Sequence, residues 1–214
     1  MRQNKIGVLG GTFNPVHRGH VDLGLKIKAA FGLKKVLYVL SAQPPHKKMQ
    51  RLAAAEIRLA MLKEALRPHP GLLPCDLELR RPGASWTIDT IRQLKKENPA
   101  DQFFFISGSE GFLKIRTWKE YRQLFREVFF IIVIRQNSHQ VRVERLLHRE
   151  GIPIGHPPEY SSLPPTAFLV SYASAYLSLS ATAVRNGAAQ GRDISPWVEK
   201  NVQTILEENK LYED

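Results

Sequence analysis

"KIGVLGGTFNPVHRGHVDLGLKIKAAFGLKKVLYVL", residues 5–40, decides the fold. KIGVLG (5–10) is a short apolar run ending in glycine and reads as a buried strand. VDLGLKIKAAFGL (21–33) places Leu23, Ile27, Ala30 and Phe31 at helical spacing, and KVLYVLSA (35–42) reads as a second strand. Strand, helix, strand with short joints marks a βαβ unit with parallel strands. GGTFNPVHRGH (10–20) then falls in the loop at the carboxyl end of the first strand, where open α/β sheets bind ligands.

The alternation continues. AAEIRLAMLKEAL (54–66) reads as a helix and LLPCDLEL (72–79) as a weak strand. SWTIDTIRQLKKEN (85–98) reads as a helix capped by Ser85 or Thr87. QFFFISG (102–108) is a strand, TWKEYRQLF (117–125) a helix and VFFIIVIR (128–135) the clearest strand of the chain. After Gly151 a proline-rich loop leads to FLVSYASAYLSLS (168–180), which is β-prone. SATAVRNGAAQG (180–191) reads as a helix with a serine or threonine cap, and residues 195–212 as a helix with Ser195 at the N-cap and Pro196 in the first turn. The expectation is one doubly wound α/β domain over residues 1–214, with a helical C-terminal end from about residue 180.

Bulk properties narrow the class. The chain has 214 residues, 43% hydrophobic and 24% charged, the profile of a soluble globular domain large enough for a full core. Its one cysteine, Cys75, leaves no internal disulfide and no cysteine metal cluster, which suits a reducing cytoplasm. No secretory h-region and no membrane-length apolar run is present. The net charge of +11 calls for an anionic partner, but lysines and arginines come at most in pairs, mixed with glutamate, without a basic tail.

Neither common phosphate-binding fingerprint fits the loop. Gly10, Gly11 and Gly19 do not match G-x-G-x-x-G, and G-x-x-x-x-G-K-[ST] is absent. The glycine pair still lets a ligand or a helix approach the backbone. His17 and His20 lie one turn apart at a helix start, where the helix dipole favours an anion. A metal would need a third ligand, and no other histidine has a spacing that points to this pair, so no metal is expected on protein side chains. The bland alternative is a tight turn with surface histidines; the full string G-G-T-F-N-P-x-H-x-G-H favours a ligand.

That string resembles the signature of the nucleotidylyltransferases with an H-x-G-H motif. More narrowly, the chain resembles the nicotinate mononucleotide adenylyltransferases of bacteria along its whole length. QPPHK (43–47) is similar to that family's P-P-H-K loop and RPGASWTIDT (81–90) to its R-x-G-x-S-Y-T-x-D-T stretch. FISGSE (105–110) is similar to F-I-x-G-x-D, and SATAVR (180–185) to the terminal S-[ST]-T-x-[IV]-R motif. Trp118 and Arg135 fall where the family has a tryptophan and an arginine. Trp86 stands for the family tyrosine, Glu110 for its aspartate, and Asn14 for the commoner aspartate.

The resemblance implies a Rossmann-like fold and in-line attack of the nicotinate mononucleotide phosphate on the α-phosphorus of ATP, with Mg²⁺ accompanying ATP. Such transfers need positioning and positive charge more than covalent chemistry. It implies His17, His20, Lys47 and Arg185 as catalytic groups. Gly10, Gly11, Thr12, Phe13, His20, Gly108, Glu110, Ser180, Thr182 and Arg185 are expected at ATP. Asn14, Ser85, Trp86, Thr87, Trp118 and Arg135 are expected at the nicotinate nucleotide. The partners implied are these two small molecules, without nucleic acid or membrane; a homo-oligomer stays open. The competing expectations are another acceptor (nicotinamide mononucleotide or phosphopantetheine) and a non-catalytic nucleotide or nucleic-acid binding module.

Overall fold

The structure, a computed structural model, describes residues 4–42, 51–155 and 167–212. In chain order the elements are β1 (Lys5–Gly11), α1 (Arg18–Phe31), β2 (Lys35–Leu40), α2 (Ala55–Leu66), β3 (Leu72–Cys75), α3 (Thr87–Glu97) and β4 (Gln102–Gly108). Then follow α4 (Ser109–Phe112), α5 (Tyr121–Glu127), β5 (Phe129–Ile134), α6 (Asn137–Arg149), β6 (Ile154–Gly155), β7 (Ala167–Ser171), α7 (Ala181–Ala189) and α8 (Lys200–Glu208). The strands form one sheet in the order β3-β2-β1-β4-β5-β7-β6. β1 with β4, β4 with β5, β5 with β7 and β7 with β6 run parallel. This is the expected Rossmann-like α/β class with a helical C-terminal end. The order reverses between β1 and β4, the switch point at which such sheets take their ligands.

The chain divides into two compact units, each assembled from separated segments. The first comprises residues 1–10, 27–36 and 86–173. Its strands explain its sequence: all six side chains of β5 are buried, as a parallel strand covered on both faces requires. Phe104 pairs in register with Phe129 and Phe105 with Phe130, so the two rings of each pair share a face. On one face Phe104 stacks on Phe129 at 4.9 Å, and Phe168 packs edge-on to Phe31 at 5.6 Å. On the other, Phe130 meets Phe112 at 5.5 Å and Phe125 at 5.1 Å.

The second unit comprises residues 11–26, 37–85 and 174–214. Here α2 packs on α8 and β3. Tyr38, fully buried, donates from its hydroxyl to the His20 carbonyl at 2.9 Å and so pins the first turn of α1. A Cβ at position 24 would overlap that hydroxyl, which fixes Gly24 by steric exclusion. Gly187 is required in the same way: a Cβ there would lie 2.5 Å from the Trp197 ring.

Several boundaries differ from the expectation for local reasons. β3 stops at Cys75 because a turn closes from Asp76 onto Leu79 and Arg80. α3 has Trp86 at its N-cap with no side-chain cap bond, and the Ser85 hydroxyl instead accepts from the Ala42 N–H at 3.0 Å. Residues 115–117 form a 3₁₀ turn, which delays α5 to Tyr121. β7 ends at Ser171. α8 begins at Lys200, and the Ser195 N–H is taken by the Asp193 carboxylate at 2.9 Å, so Ser195 sits in a turn and not at a cap. α6 lies in a stretch that apolar periodicity does not mark, since only Val143 and Leu147 are buried among its polar residues. The Ser180 cap of α7 is as expected: its hydroxyl accepts from Ala183 N–H.

Gly24→Ala is expected to lower unfolding stability by about 1–3 kcal/mol, the scale of overpacking a tight core. Adding Tyr38→Phe should recover part of that loss. Urea denaturation checks it; an unchanged midpoint for Gly24→Ala would contradict the close approach.

Candidate active site

The loop after β1 is held at both ends. The Gly11 carbonyl accepts from Ser41 N–H at 2.8 Å, and a Cβ on Gly11 would lie 2.8 Å from the Phe13 ring. Phe13 adopts a left-handed φ of 45° and is 3% exposed. Its ring stands edge-on to His20, centroids 5.1 Å apart, and tilted against Tyr38 at 5.7 Å. Phe13 is therefore the wall behind His20.

His17 and His20 stack with centroids 3.8 Å apart and planes 30° from parallel. The His17 backbone N–H donates to His20 Nδ1 at 3.3 Å. A nitrogen that accepts cannot carry the proton of the neutral ring, so this contact places it on Nε2. His17 is 4% exposed whereas His20 is half-buried, so His20 is the member that faces outward. His17 thus supports His20 more than it reaches a ligand, which narrows its expected role.

The two signature segments meet. Arg185 Nη1 donates to the Asn14 carbonyl at 2.8 Å, and Nη2 to Thr182 Oγ1 at 3.1 Å. Arg185 is thereby aimed from the second turn of α7 at the loop that leads into α1. Asn14, expected at the acceptor, has its side chain engaged within the protein. It is 1% exposed, its Nδ2 donates to the Arg51 carbonyl at 2.8 Å, and its Oδ1 accepts from Ala53 N–H at 3.1 Å and from the Tyr212 hydroxyl. Its side chain holds the loop rather than a ligand.

Beneath the loop lies Arg58, 1% exposed. It donates to four main-chain carbonyls: Thr12 at 2.9 Å, Ser41 at 2.8 Å, Ala53 at 2.9 Å and Ala42 at 3.4 Å. Burial pushes its guanidinium below the ordinary value, while Tyr212 and Glu56 pull it back up. Residues 43–50, with the expected catalytic Lys47, lie outside the described residues. Their described flanks are both fastened to Arg58 and to the loop.

The remaining candidates belong to the first unit, apart from Ser85. Trp86 and Thr87 open α3, whose first turn has no side-chain cap. Lys119 binds the Asp89 carboxylate at 3.0 Å, tying the segment of Trp118 to that turn. Trp118 is half-buried and held edge-on by Phe105 at 5.7 Å. Arg135 follows β5 directly, and among the described residues its buried Nε has no hydrogen-bond partner. A buried donor left unpaired is costly, so it is a group prepared for an acceptor. Glu110, 49% exposed, turns back toward Gly108, with one oxygen 4.0 Å from His139 Nδ1; the same nitrogen lies 3.0 Å from Ser109 Oγ.

The sequence reading missed Arg58, Tyr38 and Tyr212. Arg58 did leave a signal: it stands on the apolar stripe with Met61, Leu62 and Ala65, where an unpaired charge has no ordinary place. Among the described residues no three His, Cys, Asp or Glu side chains cluster to hold a metal.

Comparison with known proteins adds to this geometry. The profile of the family "Cytidylyltransferase-like" matches residues 8–187. A protein of Geobacter metallireducens named "Probable nicotinate-nucleotide adenylyltransferase" is 35% identical over 97% of this chain and 98% of its own length. One of the same name from Symbiobacterium thermophilum is 36% identical over 97% and 95%. Among solved structures, Plasmodium falciparum nicotinic acid mononucleotide adenylyltransferase complexed with NaAD superposes with a TM-score of 0.77. It is 19% identical, and the match covers 98% of both chains, a likeness of fold.

At pH 8 the His20 imidazole is expected as the Nε2–H tautomer. Nitrogen-detected NMR of histidine-labelled protein checks this; a protonated Nδ1 on His20 would contradict the 3.3 Å contact.

Proposed function

The chain belongs to the cytidylyltransferase-like family, and we propose that it joins ATP to nicotinate mononucleotide, forming nicotinate adenine dinucleotide and pyrophosphate on the way to NAD. A phosphate oxygen of the mononucleotide attacks the α-phosphorus. The bond from that phosphorus to the bridging oxygen breaks, and pyrophosphate leaves with the electron pair. The observation that carries this reading is the meeting of the two signature segments, with Arg185 bonded to the Asn14 carbonyl beside the His17–His20 pair. They put one fixed cation and one ring N–H at a helix start, a combination suited to a polyphosphate.

Each side chain then has a task. His20 donates its Nε2–H to the phosphate chain as charge develops on the leaving group. Arg185 neutralises the same charge, and Ser180 and Thr182 stand at the α7 start beside it. Gly10, Gly11, Thr12 and Phe13 offer backbone to the nucleotide, while Gly108 and Glu110 meet its adenosine side. Lys47 adds positive charge for the departing pyrophosphate.

On the acceptor side, the uncapped first turn of α3 at Trp86 and Thr87 suits the nicotinate carboxylate, since helix starts favour anions. Trp118 offers a flat face to the pyridine ring, and Arg135 brings its unpaired Nε to the nucleotide's charge. Mg²⁺ bound to ATP would supply charge neutralisation at the phosphate oxygens, beside the His20 and Arg185 donors. We place the reaction in the cytoplasm.

The decisive assay mixes the protein with ATP–Mg²⁺ and one of three acceptors: nicotinate mononucleotide, its amide, or phosphopantetheine. Pyrophosphate release with the first is expected; release with another alone would move the assignment to that acceptor. His20→Ala should lower kcat on the order of 10²-fold, and a variant within threefold of wild type would remove His20 from the chemistry. Arg135→Ala should raise the KM for the mononucleotide roughly tenfold or more while leaving that for ATP nearly unchanged.

A further inference from the structure

Tyr212 stands close to the end of the chain, far in sequence from the loop that carries the two histidines. It is nonetheless 7% exposed, and its hydroxyl donates to Asn14 Oδ1. Delivering it there takes an unusual backbone. After α8 the Leu211 N–H turns back onto the Leu206 carbonyl at 2.9 Å, and both Lys210 and Tyr212 take left-handed φ values, 47° and 68°. Non-glycine residues rarely hold that conformation unless the surroundings over-determine it. At Lys210 the close of α8 sets it, with the Lys210 N–H on the Glu207 carbonyl at 3.1 Å; at Tyr212 the buried ring and the hydrogen bond to the Asn14 amide hold it.

That amide is the junction of the loop. Its nitrogen fixes Arg51 and its oxygen fixes Ala53, while the carbonyl of the same residue receives the Arg185 guanidinium. An amide oxygen has two lone pairs, and at Asn14 the Ala53 N–H and the Tyr212 hydroxyl fill both. Removing the phenol hydroxyl takes away one of the three hydrogen bonds that fix the Asn14 side chain, and so loosens the residue whose backbone carbonyl aims Arg185. Burial pushes the Tyr212 phenol above its ordinary range, and the nearby Arg185 and Arg58 lower it by less, so the hydroxyl stays a donor.

We propose that Tyr212 is a positioning residue of the adenylyl transfer, setting through Asn14 both the loop of His17 and His20 and the aim of Arg185. This rests on the activity proposed above. It predicts an effect on turnover more than on capture of the acceptor, because what shifts is the alignment of the charges at the phosphate chain.

The test compares wild type with Tyr212→Phe, which keeps the buried ring, at a temperature well below either melting transition. Expected are a kcat lowered about tenfold, a KM for the acceptor within about twofold, and displaced imidazole resonances of His17 and His20. A kcat within twofold of wild type, whichever acceptor proves active, overturns the proposal. A lowered melting temperature with unchanged kcat also overturns it, since that is a structural role alone. Should wild type turn over no acceptor, the activity reading fails separately. The imidazole resonances then decide: displacement supports the positioning role and unmoved resonances overturn it. If Tyr212→Phe does not fold, Tyr212→Trp, which keeps a ring with a donor, serves in its place, with kcat read by the same limits.

Discussion

One buried guanidinium holds the second unit's machinery in place. Among the described residues the hydrogen bonds of Arg58 go to main-chain carbonyls, of Thr12, Ser41, Ala42 and Ala53, and none to a carboxylate. An ion pair would have cancelled its charge; a ring of carbonyls satisfies its donors and leaves the charge in place. It thereby fastens three separate backbone stretches at one point: the loop after β1, the exit of β2 and the approach to α2. His20 and Arg185 stand on that foundation without touching it.

The fold was largely legible because its signals are local. A buried parallel strand such as FFIIVI has no polar alternation to hide it, and the β1–α1–β2 stretch carries its own turn chemistry. The failures were also physical. α6 buries only Val143 and Leu147, too few to show a helical period. Ser195 looks like a cap, but an aspartate two residues earlier takes its N–H first. Ser85 looks like a cap and is spent on Ala42.

The site was legible by type more than by task. The motifs singled out His17, His20 and Arg185, with Asn14 on the acceptor side, and the hydrogen bonds join His17 to His20 and Arg185 to the Asn14 carbonyl. Their division of labour was hidden, because it depends on burial: His17 stacks behind His20, and Asn14 turns inward to Arg51, Ala53 and Tyr212. Tyr212 could not be found from spacing at all, since its partner lies at the other end of the chain. The groups assigned to the phosphates lie mostly in one unit, and most of those assigned to the acceptor lie in the other.

The distance along the chain between Asn14 and Tyr212 has a cost in time. The two partners of the Asn14–Tyr212 bond are 198 positions apart. At ribosomal speeds, roughly 10–40 s pass between the emergence of the first and of the second. Until then Asn14 lacks the Tyr212 hydrogen bond, although α7 and α8 have already emerged. A nascent chain therefore holds His17 and His20 early and receives this fastening last. A transcript that ends a few codons short would yield a protein with every signature motif and a loosened site.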